Sequence, residues 1–211
     1  MAIKDIYEAV LDLENGEEII AGLVEKELAN GTDINKLLQE GLIAAMDEVG
    51  KSFSEEKLFV PEMLMAAQTM KTGLKILKPK LGAAGQASAG VVVIGTVKGD
   101  LHDIGKNLVG MMLEGGGFEV HDLGVDVGPE TFVESAKARK AGLVGLSALL
   151  TTTMPAMEET VVALKEAGLG HVKTMIGGAP VTRAFADKIG ASGYSEDAPG
   201  AVELARKLAK P

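Results

Sequence analysis

Val91-Val-Val-Ile-Gly-Thr96-Val-Lys-Gly99-Asp100-Leu-His102-Asp103-Ile-Gly105-Lys-Asn107 is the stretch that decides the fold. It begins as an apolar run, Val91–Gly95, with no polar residue on either face, as expected of a strand buried on both sides of a sheet. The run stops at a short polar segment bounded by Gly99 and Gly105. Helical spacing then takes over from Gly105 to Glu114. Strand, polar loop and helix in that order make the first half of a βαβ unit.

The same alternation continues downstream. Phe118–Leu123, Leu143–Leu146 and Val172–Ile176 read as further strands, with a weaker fifth at Ala191–Tyr194. Helical patterns fall at Pro129–Arg139, Pro155–Glu166, Val181–Lys188 and Ala198–Leu208. Five such strands predict an α/β, flavodoxin- or Rossmann-like parallel sheet in the order 2-1-3-4-5, with helices on both faces. Upstream the chain is helical throughout. Ile3, Ile6, Tyr7, Val10 and Leu11 share one face, and Ile19, Ile20, Leu23, Val24 and Leu28 another. Asn30-Gly31 ends the second helix, and Thr32 or Asp33 is placed to cap a third that carries Ile34, Leu37, Leu38, Leu42, Ala45, Met46 and Val49. A fourth begins near Pro61. This predicts an N-terminal four-helix bundle over residues 1–78. The small, aperiodic residues of 79–90 read as a linker, and 91–211 as the α/β domain.

Composition removes several classes. The 211 residues include no cysteine, so disulfides, iron–sulfur clusters and thiolate metal sites are excluded. A net charge of −9 and an aromatic content of 3%, without Trp, argue against nucleic acid as a partner. No apolar run approaches the roughly 20 residues that span a bilayer, and the N-terminus lacks a signal-peptide layout. The expected setting is the cytoplasm, with no membrane partner.

In a sheet of this order a ligand is expected over the loops that follow strands 1 and 3. Asp100-x-His102 can set a carboxylate on one imidazole nitrogen and leave the other free, an arrangement that fixes the tautomer of a metal-ligating histidine. Gly99 and Gly105 would let the backbone approach a flat ligand. A phosphate-binding loop does not fit, because five residues separate Gly99 from Gly105-Lys106 and Asn107 stands where Ser or Thr is needed. A zinc site needs three or four ligands, and His121 and His171 are isolated. A histidine that merely caps the following helix remains the plainer alternative.

Asp100-x-His102-x-x-Gly105, Ser147-x-Leu149 and Gly177-Gly178 together resemble the signature of cobalamin-binding domains that hold the cofactor base-off and His-on. The resemblance implies that His102 is the lower ligand to cobalt, with Asp100 hydrogen-bonded behind it and Asp103 and Gly105 in the same loop. Ser147, Leu149, Thr151, Gly177, Gly178 and Tyr194 would then line the path of the cofactor's nucleotide tail. Ser147 through Met154 also resembles the corresponding loop of cobalamin-dependent methionine synthase. There a hydroxyl six residues after the motif serine completes a relay with Asp and His; the matching position is Thr153, so Asp100 and Thr153 are the implied catalytic relay. A polar loop capping the next helix is the alternative for Thr151–Thr153, and an ordinary turn for Gly177-Gly178. Ser192 departs from the family, where Asp is usual.

In the helical part, Phe53-Ser-Glu-Glu-Lys-Leu-Phe-Val60-Pro is similar to the cap of the methyl-carrying branch, which implies that Phe53 and Val60 cover the reactive face of the cofactor. The alternative for both is bundle core. Over nearly its whole length the chain is similar to the stand-alone corrinoid proteins of methyltransferase systems. The resemblance implies a methyl carrier between a donor methyltransferase and an acceptor methyltransferase that uses a thiol or tetrahydrofolate, with a reductive activase as a further partner. An adenosylcobalamin mutase subunit and a cobalamin-responsive sensor are the competing functions. The former usually lacks this cap, and the latter is normally fused to a signalling or DNA-binding domain.

Overall fold

The computed structural model describes residues 2–80 and 89–210. The chain divides into two compact units, one of Met1–Ser88 with Glu114–Gly117, the other of Ala89–Leu113 with Phe118–Pro211. Most of the expected linker, 81–88, lies outside the described residues.

The first unit is helical: α1 (Ala2–Leu11), α2 (Gly16–Ala29), α3 (Ile34–Lys36), a π-helical segment (Leu37–Ile43), α4 (Ala44–Ser54) and α5 (Val60–Leu77), with a 3-10 turn at Lys78–Lys80. Its core takes Ile6, Val10, Ile20, Val24, Leu42 and Val49 from the apolar stripes read in the sequence, and adds Met63, Met70 and Leu77 of the last helix, all buried. The third helix differs from a regular α-helix in its middle. Leu37 and Leu38 are followed by Leu42 and Ile43, all four buried. Pairs repeating every five residues face one side only if the turn widens, which the i→i+5 spacing of a π segment does. Of the two candidate caps, Asp33 is the one used, its carboxylate accepting from the Lys36 amide at 3.0 Å. Thr32 instead donates to the buried Glu27 at 2.7 Å. Helix α5 starts with Pro61 in its first turn and Glu62 accepting from the Phe59 amide at 2.7 Å.

The second unit alternates β1 (Val91–Thr96), α6 (Ile104–Gly115), β2 (Glu119–Asp122), α7 (Pro129–Arg139), β3 (Leu143–Ser147), α8 (Met154–Glu166), β4 (Lys173–Gly177), α9 (Arg183–Ile189), β5 (Gly193–Tyr194) and α10 (Ala198–Leu208). The sheet is parallel and runs β2-β1-β3-β4-β5, the order read from the sequence. With right-handed crossovers, the reversal of direction after β2 puts α6 on one face and α7, α8 and α9 on the other. On the latter face Phe132, Ala136, Met157, Val161, Leu164, Ala186 and Ile189 close over Val93, Val144, Leu146 and Ile176. Burying both faces is what makes β1 and β3 apolar without alternation.

The register aligns the carboxyl ends of the central strands. Thr96 stands opposite Ser147, and Ser147 opposite Gly177. Three chain segments that leave the sheet therefore do so side by side, and the loops after β1 and β3 diverge to opposite faces at the switch point.

Candidate functional site

Each strand end at this edge delivers something polar. Beyond β1, the Val97 amide donates to Ser147 O at 3.0 Å, and the Asp100 amide turns back to Val97 O at 3.1 Å. Gly99 makes this turn with φ +83°, a conformation that costs a residue with a side chain. Its amide is caught by the Asp126 carboxylate at 2.7 Å, and the Asp126 amide reaches Asp100 O at 2.9 Å. The Thr96 hydroxyl, at the end of the strand, donates to His102 O at 2.8 Å. The loop is thus fixed from both ends before any ligand is considered.

Asp100 is fully buried beneath it. One carboxylate oxygen accepts from His102 Nδ1 at 2.7 Å and from the His102 amide at 3.1 Å. The other accepts from the Leu149 amide at 2.8 Å and from the Thr153 hydroxyl at 2.7 Å. Burial pushes the Asp100 carboxyl up. The hydrogen bonds from Thr153, Leu149 and His102 outweigh that and hold it well below the usual carboxylate range. An ionised carboxylate can only accept, so Nδ1 carries a ring proton, and in the neutral imidazole Nε2 is the nitrogen with the free lone pair. The His102 side chain is 52% exposed while Asp100 behind it is closed off, so the basic nitrogen is the one presented outward.

Two of the plainer readings do not describe what is seen. Thr153 occupies the N-cap position of α8 but makes no side-chain cap bond there; its hydroxyl is directed to Asp100 and to Leu150 O at 2.9 Å. Likewise the His102 ring engages Asp100, while at the start of α6 Asp103 O accepts from the Asn107 amide at 2.7 Å. Among the described residues, no three His, Asp or Glu side chains converge as a cluster able to hold a bare metal ion.

The sequence candidates lie in this hydrogen-bonded unit, in the turns beside it, along the strand ends and in the helical unit. Asp100, His102, Leu149 and Thr153 form one hydrogen-bonded unit, with Asp103 next in the chain and accepting from Asn107 Nδ2 at 3.0 Å. Gly105 is exposed, and a Cβ there would meet nothing within 4 Å. Ser147, Gly177, Gly178 and Tyr194 lie along the strand ends, with Tyr194 paired to Ile176. At Gly178 φ is +130° and a Cβ would lie 1.9 Å from Ala148 O, so no side chain fits. Thr151 is exposed in the turn before α8. Phe53 and Val60 belong to the helical unit, where Phe53 is half-buried in α4. Val60, the first residue of α5, is 38% exposed and so is not bundle core.

Some of the residues that fix the loop were not singled out in the sequence. For Thr96 the signal that could have found it is a polar residue closing an apolar strand. Asp126 adopts a left-handed conformation between Val125 and Val127, with φ +53°. Neither its conformation nor its 27-residue reach to Gly99 leaves a local signal. The paired surroundings of Lys106 were also missed.

The fit to a corrinoid is supported by the chain's own geometry. The His102 ring faces outward with Nδ1 tied to Asp100, a Cβ at Gly105 would meet open space, and a bare backbone edge passes at Gly178. The described residues include no helix long and apolar enough to cross a membrane. Two family models, each described as a B12 binding domain, match the chain, one over residues 90–203 and one over residues 2–78. Dimethylamine corrinoid protein 1 of Methanosarcina acetivorans is 50% identical over 192 residues, covering 89% of this chain and 90% of its own. Trimethylamine corrinoid protein 1 of the same organism is 46% identical, covering 98% of this chain and 96% of its own. Among solved structures, a chain of the methanol:cobalamin methyltransferase complex of Methanosarcina barkeri superposes with a TM-score of 0.87 at 31% identity, covering 99% of this chain and 79% of that one. With both its helical and its α/β parts matched, the chain belongs to the family of B12-binding corrinoid proteins of methyltransferase systems.

Proposed function

We propose that the protein carries a methyl group on a cobalamin held base-off and His-on, with His102 Nε2 as the lower ligand to cobalt. The observation that carries this reading is the Asp100–His102 pair, in which a buried ionised carboxylate binds Nδ1 at 2.7 Å and leaves Nε2 basic and outward. The bound corrinoid supplies reversible methyl transfer at its cobalt. Asp100 holds the imidazole in the ligating tautomer and raises its basicity, and Thr153 and the Leu149 amide stabilise the carboxylate that does so. Protonating this unit would weaken the imidazole as a donor and favour its release. The bare backbone at Gly177-Gly178, with Ser147 and Tyr194 beside it, is the path for the displaced nucleotide tail.

Phe53 and Val60, in the helical cap of 1–78, would cover the reactive face of the cofactor held by the α/β domain of 91–211. The donor would be a methylated amine or methanol on one methyltransferase, as the names of the relatives suggest. The acceptor would be a thiol or tetrahydrofolate on a second, with a reductive activase to restore the carrier, all in the cytoplasm. Reconstitution with cobalamin tests the ligand assignment. His102→Ala is expected to abolish the His-on visible spectrum, and an unchanged spectrum would overturn it. Methyl donors are then screened with methylamine and methanol methyltransferases; failure of every amine and of methanol would sink the donor class.

A further inference from the structure

The amino end of α6 carries a charged cluster that the relay around Asp100 does not use. Lys106 is only 3% exposed, rare for a lysine without a partner. Its ammonium forms an ion pair with Asp122 at the end of β2 and donates to Asn107 Oδ1 at 2.6 Å. Asn107 passes the contact on, donating from Nδ2 to Asp103 Oδ2 at 3.0 Å. Asp122 is itself held, its second carboxylate oxygen accepting from the Gly124 amide at 2.9 Å. Gly124 O accepts from the Thr96 amide at 2.9 Å, and the Thr96 hydroxyl donates to His102 O at 2.8 Å. These links close a ring: Thr96 to His102, along the chain to Asp103, through Asn107 and Lys106 to Asp122, then by Gly124 back to Thr96.

Taking an ammonium out of water is costly unless its geometry is well satisfied, and a site kept in spite of that cost is a candidate for conformational specificity. We propose that Lys106 is a positioning residue: through Asp122 and Asn107 it fixes the His102-Asp103 segment, and with it the direction of His102 Nε2. Asp100 sets which ring nitrogen is free, whereas Lys106 sets where the backbone bearing that ring stands. The proposal rests on the reading of His102 as cobalt ligand.

The test uses the full chain with Lys106→Met, Asp122→Asn and both together. In the cobalamin-loaded protein reduced to divalent cobalt, the three-line electron-spin splitting from a bound imidazole nitrogen reports the His-on fraction, followed against pH. Each single variant is expected to weaken the His-on equilibrium by about tenfold, the usual cost of losing an outer partner of a metal ligand. The double variant is expected to lose no more than the singles, because the pair acts as a unit. Without cofactor, hydrogen exchange at the Asn107 amide is expected to speed up in both singles. Wild-type splitting, pH midpoint and exchange in folded variants would overturn the role. Should Lys106→Met not fold, Asp122→Asn decides alone, its side chain being 43% exposed. A wild type with no imidazole splitting, or a His102→Ala variant that keeps it, would refute the ligand reading; the exchange measurement would then still decide whether Lys106 positions the loop.

Discussion

The Thr153 hydroxyl donates to Asp100 Oδ2 at 2.7 Å across 53 residues of sequence, joining the loop after β3 to the loop after β1. The bond is made to a buried, ionised acceptor, so it belongs to the stronger class of hydrogen bonds, about 1.5–3 kcal/mol. Thr153→Val keeps the shape and removes the donor. Asp100 is then expected to move up toward the ordinary carboxylate range, and, if His102 ligates cobalt, the His-on form is expected to weaken by about tenfold or more. A pH titration of the visible spectrum checks this, and Thr153→Ser should restore the wild-type curve.

The same depressed carboxyl makes an acid-stability prediction for the protein without cofactor. A group whose folded value lies below its unfolded one binds fewer protons when folded, so its contribution is present above the unfolded value, ordinarily 3.8, and is lost as pH falls toward the lower folded value. Urea midpoints should therefore be steady from neutral pH to about 5 as far as Asp100 is concerned, and its share of the acid limb should appear below 4. Asp100→Asn is expected to be less stable at neutral pH and to show a shallower acid limb. An acid limb of unchanged slope in that variant would count against the hydrogen-bond account of Asp100.

Two glycines at the site should respond in opposite ways. Gly178→Ala puts a methyl 1.9 Å from Ala148 O at a φ of +130°, so a loss of at least about 1–3 kcal/mol in urea unfolding is expected. Gly105→Ala meets nothing within 4 Å and lies in the first turn of α6. The protein without cofactor should be unharmed or gain up to about 1 kcal/mol. If a flat cofactor lies against that backbone, the same variant should bind cobalamin more weakly, which a spectroscopic titration reads directly.

What the sequence showed of this arrangement follows from where the information sits. The strands were legible because β1 and β3 are buried on both faces and so appear as apolar runs, and their order because five strands alternating with helices suggest 2-1-3-4-5. Helices α7 and α10 were bounded by Pro129 and Ala198, and by Arg139 and Leu208, as the structure has them. The Asp100–His102 pair was legible because its partners are two residues apart. The π segment was not, since the doublets Leu37-Leu38 and Leu42-Ile43 also satisfy a loose helical pattern. Nor was the anchoring of Gly99 by Asp126, or of Lys106 by Asp122, since each depends on strands that meet only in the folded sheet.

Val60 gives the sharpest separation of packing from function. It opens α5 with 38% of its surface exposed, so truncation to alanine removes less buried area than at a core position and places a stronger helix former at the first helical position. Stability of Val60→Ala should stay within about 0.5 kcal/mol of wild type. Phe53, half-buried on α4, should cost more than that when cut to alanine. If both cover the reactive face, both variants should lose a bound methyl group to solvent chemistry faster than wild type in the absence of partners. The loss should follow the size of the apolar cover removed rather than the stability change. Equal methyl retention in Val60→Ala and wild type would leave Val60 as an exposed helix start with no part in the cap.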